Sequence, residues 1–279
     1  MEPLIDILYE VDGPVALITM DRARYKNAQS YPMLDSLDRA LDMAMADEAV
    51  KVAIVTGAGD SFSAGHDLGT PEQLAHREEK QIPHDGIGYY DSFRHYNMDL
   101  NIKWRNLPKP TIAMVRGYCI FGGWMIASSM DLIFASEDAK FLAGQFEYFS
   151  VPWDVGMKKA KELLFESRFI DPHEAMGYGF VNRVYKAEDL ERETKGYALR
   201  CAENSTLALR QAKLAVNKQQ DIQGYTASME AGFADYLVRT RLDRPATGGS
   251  PRAEGAPRRL AGVELALRGA RGDRPGLEP

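Results

Sequence analysis

Along the first sixty residues the apolar positions change their period twice. "DILYEVDGPVALITMD" (6–21) alternates apolar and polar residues on either side of Asp12-Gly13, and that turn pair predicts two short strands in a hairpin. In "SYPMLDSLDRALDMAMAD" (30–47) the spacing lengthens, and Met33, Leu34, Leu37, Leu41 and Met45 fall along one helical face. "VKVAIVTGAG" (50–59) then stays apolar up to its glycines, the pattern of a strand covered on both faces. "TIAMVRGYCI" (111–120) reads as a second such strand and "DLIFASEDAKFLAG" (131–144) as more strand. Helical stretches such as "DSFRHYNMDLNIKWRNL" (91–107) lie between them. Strands alternating with helices predict an α/β architecture with crossover connections. From "DPHEAMGYGFVNRVY" (171–185) onward the pattern turns helical, through "YTASMEAGFADYLVRT" (225–240), and no segment repeats.

Composition narrows the function classes. The 279 residues suit one large domain or one domain plus an appendage, and their composition, 45% hydrophobic and 27% charged with a net charge of −6, is ordinary for a globular protein. An acidic balance argues against nucleic acid as a partner. No apolar run approaches the roughly 20 residues that span a bilayer, so no membrane association is expected. The N-terminal "MEPLIDILYEV" runs straight into a strand instead of reading as a signal peptide. Cys119 and Cys201 have no CxxC spacing and are expected as reduced thiols in a cytoplasmic protein. From Thr240 to Pro279 the chain has no Lys, Asn, Ile, Phe, Tyr, Trp or Met. With so few large apolar groups this tail is expected to be disordered; a natural flexible tail and an out-of-frame terminus both fit it.

Two strand-to-turn-to-helix junctions carry the candidate chemistry: "AIVTGAGDSFSAGHDL" (53–68) and "MVRGYCIFGGWMIASS" (114–129). Main-chain N–H groups freed at such junctions can converge on one point and stabilise a developing oxyanion. The candidates are the amides of His66 and Gly122. Either junction taken singly is also what turn geometry would give.

Together, the junctions resemble the enoyl-CoA hydratase/isomerase (crotonase) superfamily. The likeness runs from about Leu4 to Leu237 through "MDRARYKNAQS" (20–30), "FSAGHDL" (62–68), "PKPTIAMVRGYCIFGGWMIASSMDLIFAS" (108–136), "GFVNRVY" (179–185) and "LALRQAKLAV" (207–216). The resemblance implies a crotonase-like spiral of ββα turns over residues 1–185 and a helical C-terminal trimerisation region over 186–239, leaving the tail of 240–279. It also implies an acyl-CoA substrate, with coenzyme A as part of that substrate and no separate cofactor, and a homotrimer or dimer of trimers. The oxyanion donors carried over are the N–H groups of His66 and Gly122. Contacts to CoA and the acyl group are expected from Arg22, Lys26, Ala28, the Ala64–Gly65–Asp67–Leu68 segment, Gly123, Met125 and Trp153.

The proton-handling half departs from the resemblance. The hydratases that this chain resembles carry a glutamate three residues past the oxyanion glycine and a second on the next turn. Here the first position is Met125 and the second Gln145, with Glu147 two residues late. Syn addition of water calls for two carboxylates, so ordinary hydration is not expected. Asp154 in "VPWDVG" is the replacement acid, since a carboxylate beside Trp153 loses solvent and gains basicity; a turn or N-cap aspartate is the structural alternative. His84 and His95 sit in a polar insertion expected to cover the acyl pocket, while Asp67 and Asp131 suit turns. No cluster has metal-ligand spacing. Isomerisation, hydration by a rearranged set of residues, hydrolytic cleavage of a C–C bond in a diketone-like substrate, and non-catalytic acyl-CoA binding all remain open.

Overall fold

The computed structural model describes residues 3–83, 86–144 and 149–242. The hairpin forms as its alternation requires: β1 (Ile7–Asp12) pairs antiparallel with β2 (Val15–Met20), Asp12 opposite Val15 across Gly13 at φ 56°. The long-period segment is α1 (Tyr31–Ala46), started by Ser30, whose hydroxyl accepts from the Met33 N–H, with Pro32 in the first turn. β3 (Val52–Gly57) returns parallel to β2.

The next crossover contains α2 (Pro71–Glu79), α3 (Gly86–Arg94), one wide π turn (His95–Asp99) and α4 (Leu100–Arg105). It leads to β4 (Thr111–Val115), parallel to β3. The single strand expected over 111–120 is in fact two. It breaks at Arg116-Gly117, where Gly117 has φ 51° and a Cβ would stand 1.9 Å from the Asp60 carbonyl oxygen. β5 (Tyr118–Ile120) therefore leaves the main sheet. It is followed by α5 (Gly122–Ser129), β6 (Leu132–Ser136) beside β4, and β7 (Lys140–Leu142) beside β5. The β4-β5 and β6-β7 turns thus each place one strand in the main sheet and one in a second layer, as a ββα spiral requires.

Then come α6 (Val151–Val155), α7 (Met157–Glu166), α8 (Pro172–Gly177) and β8 (Arg183–Tyr185). The remainder is α9 (Leu190–Ala202), α10 (Thr206–Ile222) and α11 (Tyr225–Leu242). The main sheet runs β1-β2-β3-β4-β6-β8 and the second β5-β7.

The unbroken apolar run in β3 has a direct cause. Ala53 and Val55 pack towards α1 with Leu37 and Leu41, while Val52 and Ile54 pack on the other face with Leu190, Ala198 and Ala202 of α9. A third apolar cluster joins Met98 and Met125 to Phe149 and to Tyr225, Met229 and Phe233 of α11. The helices after β8 are therefore bound to the body through α9 on the sheet and α11 against α5. Nearly all of the 240–279 tail lies outside the described residues. Among the described residues no helix is long and apolar enough to cross a membrane.

Candidate active site

The two glycine-rich junctions meet at one corner. Gln29 forms a parallel bridge with His66: the Gln29 N–H donates to the Gly65 carbonyl (2.8 Å) and the Asp67 N–H to the Gln29 carbonyl (3.0 Å). The residue between two such bonds turns its own N–H to the opposite side. Gly65, at φ 93°, lies against the other junction; a Cβ there would be 2.9 Å from the Ile120 carbonyl oxygen and 3.3 Å from the Gly122 nitrogen. Gly123 presses equally closely on Ser63, 2.6 Å from its carbonyl oxygen by the same measure. Residues without side chains at 65, 122 and 123 are what allow the two main chains to touch.

Phe121 enters α5 at φ 50°, ψ −113°, a conformation costly for a residue with a large side chain. Its N–H is held by the Leu142 carbonyl (3.0 Å), and its own carbonyl accepts from the Met125 N–H (3.1 Å). That twist makes Gly122 the first helical residue. Among the described residues its N–H has no hydrogen-bond partner.

A buried guanidinium stiffens the loop that carries Ala64 to Asp67. Arg22 is 2% exposed and donates to Asp67 Oδ2 (2.7 Å), the Ala28 carbonyl (2.9 Å) and Thr70 Oγ1 (2.7 Å), and its Nε lies 3.1 Å from Asp6. Asp67 also receives the N–H groups of Gly69 (2.9 Å) and Thr70 (2.7 Å), and its side chain is wholly buried. The side chains of Arg22 and Asp67 are both engaged inside the protein, where they hold the loop. Lys26 stays partly exposed, paired with Asp60 (2.9 Å) above the Tyr118 ring. Ala28 and Ala64 are buried and offer only main chain, whereas Leu68 is exposed.

Met125, one turn after Gly122, is buried in the apolar cluster with Met98, Phe149, Met229 and Phe233. Trp153 packs edge-on to Tyr225 and donates its indole N–H to Ser228 (2.7 Å). Gln145, Glu147 and His84 lie outside the described residues. His95 sits on the π turn, 4.0 Å from Asp35.

Asp154 is held by three donors that sequence reasoning missed: Trp124 Nε1 (2.7 Å), Ser128 Oγ (2.8 Å) and Ser150 Oγ (2.9 Å). Two signals for them existed, Trp124 and Ser128 at helical i,i+4 spacing and Ser150 four residues before the acid. Burial outweighs these donors and pushes the carboxyl up to about 6. Asp154 borders a groove of about 530 Å³, together with Ser128, Phe180, Tyr225 and Lys213; neither His66 nor Gly122 lines it. No group of three or more His, Cys, Asp or Glu among the described residues could hold a metal.

The chain is a spiral α/β body with two glycine-rich main-chain turns in contact at one corner. The Enoyl-CoA hydratase/isomerase family profile matches residues 10–235, and the chain belongs to that family. It is 36% identical over 265 residues to "Putative enoyl-CoA hydratase EchA13" of Mycobacterium tuberculosis, covering 87% of this chain and 83% of that one. Against a short-chain-enoyl-CoA hydratase of Clostridium acetobutylicum it is 30% identical over 244 residues, with 83% and 89% covered. The crystal structure of a probable enoyl-CoA hydratase from Mycobacterium smegmatis superposes with a TM-score of 0.75 at 36% identity, covering 84% of this chain and 94% of that one.

Proposed function

We propose that this chain acts on an acyl-CoA thioester, polarising its carbonyl between the N–H groups of His66 and Gly122 and stabilising the enolate that follows. The observation that supports this most is the three-glycine contact, which lays the first amide of α5 against Gly65-His66. Two donors at one carbonyl oxygen favour the charge that develops there over the ground state. Coenzyme A enters as part of the substrate, near Lys26 and the main chain of Ala28 and Ala64.

Ordinary hydration fits the described residues poorly. Met125 neither accepts nor donates a proton, and its neighbours Met98, Phe149 and Phe233 exclude water. Isomerisation, or another reaction that needs an enolate without a water held at that position, suits such a wall better. Assembly into trimers, or a dimer of trimers, would cover Leu207, Val216 and Ile222 on α10, which are exposed in the single chain; light scattering would measure it.

The direct test is isotope-edited infrared spectroscopy of crotonyl-CoA labelled with ¹³C at the thioester carbonyl. A lowered carbonyl frequency on binding is expected. Bound ligand with an unshifted carbonyl would overturn the two-donor reading, and a shift without turnover on any acyl-CoA would leave a binder in place of an enzyme.

A further inference from the structure

We infer that Asp154 is a positioning residue for the Gly122 amide: its carboxylate fixes α5, and with it the direction of the N–H at that helix's first residue. The inference rests on the reading of Gly122 as an oxyanion donor.

The need for such an anchor follows from the start of α5. Phe121 provides no side-chain cap, and Gly122 and Gly123 have no side chains to anchor the first turn. Beyond the contacts of its glycines with Gly65 and Ser63, the aim of the first amide is set by what holds the rest of an eight-residue helix. Asp154 does this with one charged group: Oδ2 accepts from Trp124 Nε1 and Ser150 Oγ, and Oδ1 from Ser128 Oγ. Two successive turns of α5 are tied to the first turn of α6 through a single carboxylate. Trp124 is itself wedged flat against Phe180, ring centroids 4.0 Å apart, and edge-on to Phe141. The other polar hold on α5 is neutral, Ser129 donating to Asn101 (2.9 Å).

The same geometry ties the anchor to protonation. An indole N–H can only donate, so of its three partners only the Ser128 and Ser150 hydroxyls can accept a proton from Asp154, and protonation changes the set of bonds. The groups facing Asp154 are Trp124 and Ser128 from α5, Ser150 at the start of α6, and Tyr225 from α11, on whose ring Arg105 of α4 rests (4.2 Å). Farther along the groove, Lys213 of α10 pairs with Asp131 (2.8 Å).

Phe121-Gly122 is the only Phe-Gly step in the sequence. Labelling with ¹³C-carbonyl phenylalanine and ¹⁵N-glycine therefore gives one selectively detected amide signal, that of Gly122. Indole ¹⁵N labelling adds the signals of Trp104, Trp124 and Trp153, with Trp124 assigned by its loss in Trp124→Phe. Over a pH titration of the whole chain, the Gly122 amide and the Trp124 indole are expected to move with one shared inflection near pH 6, and Asp154→Asn is expected to abolish it in both. A Gly122 signal that stays flat through the Trp124 inflection, or an inflection that survives Asp154→Asn, would overturn the inference. Should Asp154→Asn fail to fold, Ser128→Ala replaces it: loss of one donor to the charged form is expected to move the shared inflection to higher pH, and an unmoved inflection would overturn the inference.

Turnover tests the bond to Trp124. Asp154→Asn keeps an acceptor for Trp124 and is expected to lose less kcat than Asp154→Ala, which keeps none and is expected to lose tenfold or more. Equal loss in both variants would mean that the bond to Trp124 does not matter, and would overturn the inference. Added crotonyl-CoA is expected to shift the Gly122 amide. If that signal follows pH but ignores bound crotonyl-CoA, the oxyanion reading fails while the link to Asp154 stands.

Discussion

The imidazole of His66 lies against the Cα of Gly122: a methyl group there would stand 2.8 Å from His66 Cε1, 3.0 Å from Nδ1 and 2.4 Å from Gln29 Oε1. Gln29 is buried and shares its amide with Ser63, so it has little room to retreat. Gly122→Ala is therefore expected to push the two junctions apart. The stability cost should be that of overpacking, about 1–3 kcal/mol, and, with Gly122 donating to the carbonyl as proposed, acyl-CoA turnover should fall about a hundredfold. Urea unfolding alongside steady-state kinetics checks both; unchanged turnover would show that the corner does not touch the reacting carbonyl.

Arg22 is expected to report on folding and not on CoA. Replacing it by alanine leaves Asp67 buried without its cation, a situation that costs about 3–5 kcal/mol. Denaturant melts should show this loss. If the folded fraction of Arg22→Ala binds CoA as the native protein does, the residue has no direct ligand contact.

What the sequence made legible and what it hid follow from how local each signal is. The β1-β2 hairpin and α1 could be read because turn chemistry and period are properties of neighbours. The break between β4 and β5 could not, because apolar residues continue on both sides of Arg116-Gly117, and the constraint comes from the Asp60 carbonyl far back in the chain. The two junctions were visible as glycines after strands. The partners of the Arg22 side chain were hidden, because Asp6, Ala28, Asp67 and Thr70 are gathered by the fold. Asp154 stood out as an acid beside a tryptophan, but the indole that binds it is Trp124, 30 residues earlier, and not its neighbour Trp153.

Met125→Glu tests whether the apolar wall is part of the protein's design. A carboxylate placed among Met98, Phe149, Met229 and Phe233 would lose its solvent, and its titration would move up from about 4.3. The penalty is absent while the group is protonated in both folded and unfolded chains, and it grows as pH rises above the unfolded value. The gap in Tm between variant and native protein is expected to widen from pH 5 to pH 8, with no gain in hydration of crotonyl-CoA. A pH-independent gap would mean that water already reaches Met125.

Asp154 should make the native protein less stable as pH rises, the reverse of the effect of a salt-bridged carboxylate. Its folded-state value is raised to about 6 from 3.8, so between those values the folded chain binds the proton that the unfolded chain has released. The stability it contributes is complete below about pH 3.8 and is lost progressively until pH passes about 6. Across that window the change is of order 3 kcal/mol. Asparagine has the same shape, keeps one oxygen for Trp124 and Ser150, and can donate to the Ser128 hydroxyl, but it has no charge to bury. Asp154→Asn is therefore expected to be at least as stable as the native protein at pH 7.5. Its advantage should shrink as pH falls through the same window. Chemical denaturation at pH 5, 6 and 7.5 measures the difference; an advantage for the native aspartate that grows with pH would mean that the three donors outweigh burial and that the carboxylate is stabilised as an anion.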